Sequence, residues 1–143
     1  MSLLPRFILV PALGALALGA CATVPRAGSE APSAVALDWP TSGRAVDHVE
    51  AFQNGAVKVG LISLQGGARM PEHASPLAVL LTAASGSGTV TTARGSFVLD
   101  LTHAVFLPGG EQHAVLANAG EVLHIAVVAL KGEAPVDHHH HGH

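Results

Sequence analysis

From Arg44 onward the apolar positions fall into short runs, each broken by glycine, proline or asparagine. Ala45 to Phe52 alternates weakly and predicts a strand. Asn54-Gly55 predicts a tight turn and Ala56 to Leu64 a second strand, so the two read as a hairpin. Gln65-Gly66-Gly67 interrupts the chain. Leu77 to Ala84 is a continuous apolar run, the pattern of a strand buried on both faces, and Gly86 and Gly88 end it. Thr89 to Leu99 holds two β-prone stretches on either side of a turn at Arg94-Gly95. His103 to Leu107, Gln112 to Ala117 and Glu121 to Lys131 complete the strand candidates. No segment places apolar residues at helical spacing between caps. Strands at intervals of roughly ten residues with glycine-rich turns predict an all-β domain, a sandwich or a barrel, over residues 44–132.

The two ends follow a different pattern. Residues 1–20 read as an export signal, with Arg6 as the positive region, Phe7 to Ala17 as the apolar region and Leu18-Gly19-Ala20 before Cys21 as the processing site. The apolar stretch is short and carries Pro11 and Gly14, which argues against a permanent membrane span. Residues 21–43 are rich in Ala, Pro, Ser and Gly and predict a flexible tether, with Trp39 near its end as a residue that could dock on the domain. Residues 133–143 form a tail in which His138, His139, His140, His141 and His143 crowd together, a composition suited to capturing Zn, Cu or Ni, or else that of a purification remnant.

Composition narrows the picture. Without residues 1–20 the formal charge is about −4, and no basic patch is present, so nucleic acid is excluded as a partner. Cys21 is the only cysteine, so no internal disulfide can form and stability must come from packing. Trp39, Phe52, Phe97 and Phe106 are the large rings after the signal, and the core is therefore expected to be aliphatic.

Chemistry concentrates in Gly67-Ala-Arg-Met-Pro-Glu-His73-Ala-Ser75 and Pro108-Gly-Gly110-Glu-Gln-His113. The hairpin between them brings His73 and His113 onto neighbouring strands. No Ser-His-Asp order and no phosphate-binding loop offers another chemistry.

The two segments resemble the paired motifs of the cupin superfamily, small antiparallel jelly-roll barrels. Gly67, His73 and Gly86 stand at the spacing of the first motif, while Ser75 takes the position of its second histidine and Val79 that of its glutamate. Pro108, Gly110 and His113 match the second motif, with Asn118 one residue late and Thr102 in place of the leading glycine. The resemblance covers roughly residues 55–131, judged on motif spacing. It implies a single jelly-roll barrel and, in intact members, one metal ion held by three histidines and a carboxylate. Homodimers paired through their sheets are also expected.

Only His73 and His113 of that ligand set remain, and two neutral imidazoles hold a divalent ion weakly. Glu72, Gln112, Glu111, His48 and His103 lie nearby in sequence or plausible space. If His73 and His113 point inward, strand alternation turns Glu72 and Gln112 out. His124, on the last strand, is then the best third ligand, the other reading being a neutral core histidine with one hydrogen bond; apolar neighbours on both sides hide its parity. The expected site is a ligand pocket around His73, Ser75, Val79 and His113, lined further by Leu81 and Phe106. An alternative is a centre for Fe, Mn, Zn, Ni or Cu on His73, His113 and His124, serving a dioxygenase, isomerase or decarboxylase. A third possibility is metal handling by the tail.

Leu18-Gly19-Ala20-Cys21 resembles the lipobox of bacterial lipoproteins, which implies a lipid on Cys21. Ala22, where an inner-membrane retention signal would carry aspartate, implies the outer membrane, facing the periplasm. The expectation is a membrane-anchored protein that binds a small molecule.

Overall fold

In the computed structural model the described residues are 31–132; the expected signal, Cys21 and the histidine tail lie outside them. Nine strands follow one another: β1 (Val46–Gln53), β2 (Val57–Leu64), β3 (Arg69–His73), β4 (Ala78–Ser85), β5 (Gly88–Thr92), β6 (Gly95–Leu99), β7 (Val105–Leu107), β8 (His113–Ala117) and β9 (Leu123–Leu130). No helix occurs among the described residues.

All pairings are antiparallel and fall in two sheets, ordered β1-β2-β9-β4-β7 and β3-β8-β5-β6. The result is an antiparallel jelly roll. The two sheets are not hydrogen-bonded into one closed barrel, so the barrel expected from sequence is a two-sheet sandwich. Its core is aliphatic, with Leu64, Leu81, Val90, Leu99, Val115, Leu123 and Ile125 at 2% exposure or less.

The β1–β2 hairpin forms as expected, and the Asn54 N–H donates to the Val57 carbonyl at 2.9 Å across Gly55 and Ala56. Asn54 Oδ1 accepts from the N–H groups of both Ala56 and Val57, each at 2.9 Å, and the register closes Gln53 on Lys58. The side chain of Asn54 thus takes the Val57 N–H in place of its own carbonyl, beside the backbone bond that closes the turn. The run behind β4 also differs from expectation. Val79 and Leu81 are buried in the core, whereas Leu80 and Thr82 on the other face are only half-buried.

β3 carries a proline in its middle, which the lack of an N–H donor would forbid in a central strand. It is tolerated because β3 is the edge of its sheet. The register pairs Met70 with Val115 and then slips by one residue, so that His73 sits opposite His113. That bulge sets the parity of the site. Met70 and His73 are three positions apart, and simple alternation would send them to opposite faces.

Candidate ligand site

The turn after β7 and the segment after β3 are fastened together. The Gly110 N–H donates to the Ser75 carbonyl at 2.7 Å. Gly110 has φ of +81°, a conformation that a side chain disfavours. At Gly109 an added Cβ would stand 2.7 Å from the Pro76 carbonyl oxygen, so only glycine allows the two loops to meet this closely. The Pro-Gly-Gly element of the second segment therefore docks directly on the Ser-Pro element of the first.

Next to this junction His73 and His113 face each other, with ring centroids 4.3 Å apart and planes tilted by 55°. Each ring is pinned in the same way. His73 Nδ1 lies 2.9 Å from the Pro71 carbonyl oxygen, and His113 Nδ1 lies 3.0 Å from that of Glu111. A carbonyl oxygen can only accept, so the proton of each neutral ring sits on Nδ1 and the lone pair on Nε2. His113 is almost wholly buried, at 3% exposure, whereas His73 is exposed at the rim. Burial pushes the His113 pKa below its ordinary value of 6.5; its bond to the Glu111 carbonyl opposes this, and the neighbouring His73 adds to it.

Both rings line a cavity of about 760 Å³ between the sheets. Its apolar wall includes Met70, Leu77, Val79, Leu81, Val127 and Ala129, and Ser75 contributes the polar group next to the histidines. The Ser75 hydroxyl oxygen accepts from the Leu77 N–H at 3.2 Å and keeps its own proton for donation. On β1 and β2, His48 and an ion pair between Lys58 and Glu50, 2.7 Å long and half-exposed, line the same space.

Of the residues singled out in the sequence, His73, Ser75, Val79, Leu81 and His113 come together around this cavity. His124 does not. Its neighbours Leu123 and Ile125 are fully buried in the core, so strand alternation turns His124 to the opposite face of the sheet, where it stacks on Trp39 at 4.8 Å. Phe106 is likewise no part of the wall; it pairs with Leu80 and is 58% exposed.

Glu72 and Gln112 are exposed, as alternation required. His103 is engaged elsewhere, bonded through Nδ1 to the Asp100 carboxylate, which that contact pulls down to a pKa of about 2. Glu111 offers its carbonyl to His113 and its carboxylate to Arg94 at 3.6 Å. The lining contributed by His48, Glu50 and Lys58 was the part least visible in the sequence. Reading the β1–β2 hairpin by parity would have pointed to it, because His48 pairs with Ile62 and Glu50 with Gly60, both cavity residues.

A metal ion of the kind that the resemblance implies meets a mixed fit. The Nδ1 bonds to carbonyl oxygens are the outer support that ligating histidines usually have. The donor set is nevertheless too small: among the described residues no group of three or more His, Cys, Asp or Glu side chains could hold an ion. Ser75 and Val79 do not supply the missing imidazole and carboxylate. The pair does not by itself make a centre for Fe, Mn, Zn, Ni or Cu.

The strand order is that of an antiparallel jelly roll, with the two segments on the paired strands β3 and β8. Solved structures agree in fold. A cupin superfamily protein from Desulfitobacterium hafniense DCB-2 matches with a TM-score of 0.54 at 17% identity, over 61% of this chain and 78% of its own. A cupin domain from Bordetella pertussis Tohama I gives 0.53 at 18% identity, over 68% of this chain and 100% of its own. KdgF from a Halomonas species gives 0.56 at 14% identity, over 68% of this chain and 89% of its own. At such identities the likeness is one of fold. No protein-family model matches the chain, and no curated protein matches it.

Proposed function

We propose that this chain is a lipid-anchored, periplasm-facing binding protein whose cupin-type domain takes up a small molecule between its sheets. The observation that carries the reading is the cavity of about 760 Å³ with an apolar wall and two pinned imidazoles at one end. A concave, mostly apolar space with a few convergent polar groups is the usual form of a small-molecule site. The fold itself leaves the activity open, since function resides in the site. The anchor rests on Leu18-Gly19-Ala20-Cys21 and the Pro/Ala-rich stretch after it.

The binding reading is tested by titrating the methyl-labelled protein with a panel of small apolar compounds. Binding should shift the methyl signals of Met70, Leu81 and Val127 together. Shifts confined to residues outside the cavity would contradict it.

A metal-dependent enzyme is the second reading, favoured by the outer-support pattern of the two histidines. Elemental analysis of a chain whose tail histidines are replaced by serine decides it. Near-stoichiometric transition metal that disappears in His73→Ala would establish a metal centre in the domain.

A further inference from the structure

The way in which the two imidazoles are pinned restricts what can bind between them. Each Nδ1–H is already spent on a backbone carbonyl, at 2.9 Å for His73 and 3.0 Å for His113. Each neutral ring therefore meets an incoming ligand with a lone pair on Nε2. The ring centroids lie 4.3 Å apart, and both rings line the cavity. His113 is buried against aliphatic side chains, which favours its neutral form. The lysine of the lining, Lys58, is paired with Glu50 at 2.7 Å.

An anion entering this end would set its own lone pairs against those of the imidazoles, with the Ser75 hydroxyl as the donor beside them. A hydroxyl that donates satisfies one of the two acceptors, and the more acidic the hydroxyl, the stronger the bond to imidazole. The rest of the cavity wall asks for an apolar body.

We infer that the cavity selects a neutral, apolar compound bearing a donating hydroxyl, a phenol or an enol, whose O–H donates to the Nε2 of one of the two imidazoles, His73 or His113. The inference rests on the binding reading above and specifies its ligand class. A compound with two adjacent hydroxyl groups would engage both rings.

Three probes of one shape separate the possibilities: 2-naphthol, which donates; 2-methoxynaphthalene, which only accepts; and 2-naphthoate, an anion. Calorimetric titration is done on the full chain after removal of metal by a chelator, at neutral pH. The expected order is 2-naphthol tightest, about tenfold ahead of 2-methoxynaphthalene, with 2-naphthoate weakest. His73→Phe, a change at an exposed rim position, should shrink the tenfold preference while leaving 2-methoxynaphthalene bound.

Gly60→Ile should abolish binding of all three by filling the floor. A Cβ there meets nothing closer than the Val49 carbonyl oxygen at 3.9 Å, and an unchanged circular-dichroism spectrum of the variant checks that the fold is retained. Equal affinity for 2-naphthol and its methyl ether, or tighter binding of 2-naphthoate, overturns the donor inference while the cavity reading stands. No binding by any of the three, or binding unchanged in Gly60→Ile, overturns both.

Discussion

The site depends on where single protons and single side chains sit. His113 is the clearest case, because it is buried and held neutral. The unfolded chain lets this histidine take up a proton near its ordinary pKa of 6.5, whereas the folded chain resists until a lower pH. Between those two values the unfolded state binds more protons, so stability falls as pH drops below about 6.5 and is level above it. Denaturant titrations across this range should show a slope of up to about 1.4 kcal/mol per pH unit, and His113→Gln should flatten it. A slope unchanged by the substitution would mean that another group carries it. His73 and His113 were legible in the sequence because motif spacing fixes them. The role of His124 was not legible: Leu123, Ile125 and Ala126 are all apolar, and only the paired sheet shows that 123 and 125 face the core. Trp39, anticipated as a docking residue, covers the outward face of His124.

At the level of elements, most strands could be read from apolar runs bounded by glycine. β3 could not, because Arg69-Met-Pro-Glu-His73 has neither alternation nor a β-rich composition. It is a strand because β8 pairs with it, and its bulge turns His73 inward. β4 reads as buried on both faces because Leu80 is as apolar as Leu81, although the two lie on opposite sides of the sheet. The junction of Gly109 with Pro76 is the element-level contact on which the site geometry depends. Gly109→Ala should cost about 1–3 kcal/mol in chemical denaturation, since backbone atoms must part to admit the methyl group. Gly55→Ala is the control: its Cβ meets nothing within 4 Å and the change should be close to neutral. Equal effects of the two substitutions would contradict the docking of the two loops.

At the scale of the whole molecule, the two sheets enclose a packed aliphatic half and an open half. Leu64, Leu123 and Ile125 fill the first, while Gly60, Val127 and Ala129 floor the second. The jelly roll was legible from turn spacing and motif glycines. The cavity's second polar side, His48 with Lys58 and Glu50, was not, because it arises from a hairpin distant in sequence from both motifs. The anchoring proposal has its own outcome: Cys21→Ser should move the protein from the membrane to the soluble fraction. Retention in the membrane fraction would count against the lipid.

The central claim is that two histidines, each protonated on Nδ1, offer Nε2 lone pairs to a small molecule in the cavity. It is tested most directly by the imidazole ¹⁵N spectrum of the protein at neutral pH, recorded before and after addition of 2-naphthol. The account predicts that both rings carry their proton on Nδ1 and that the Nε2 signal of at least one of them shifts on addition. Rings protonated on Nε2, or Nε2 signals indifferent to the probe, would contradict it.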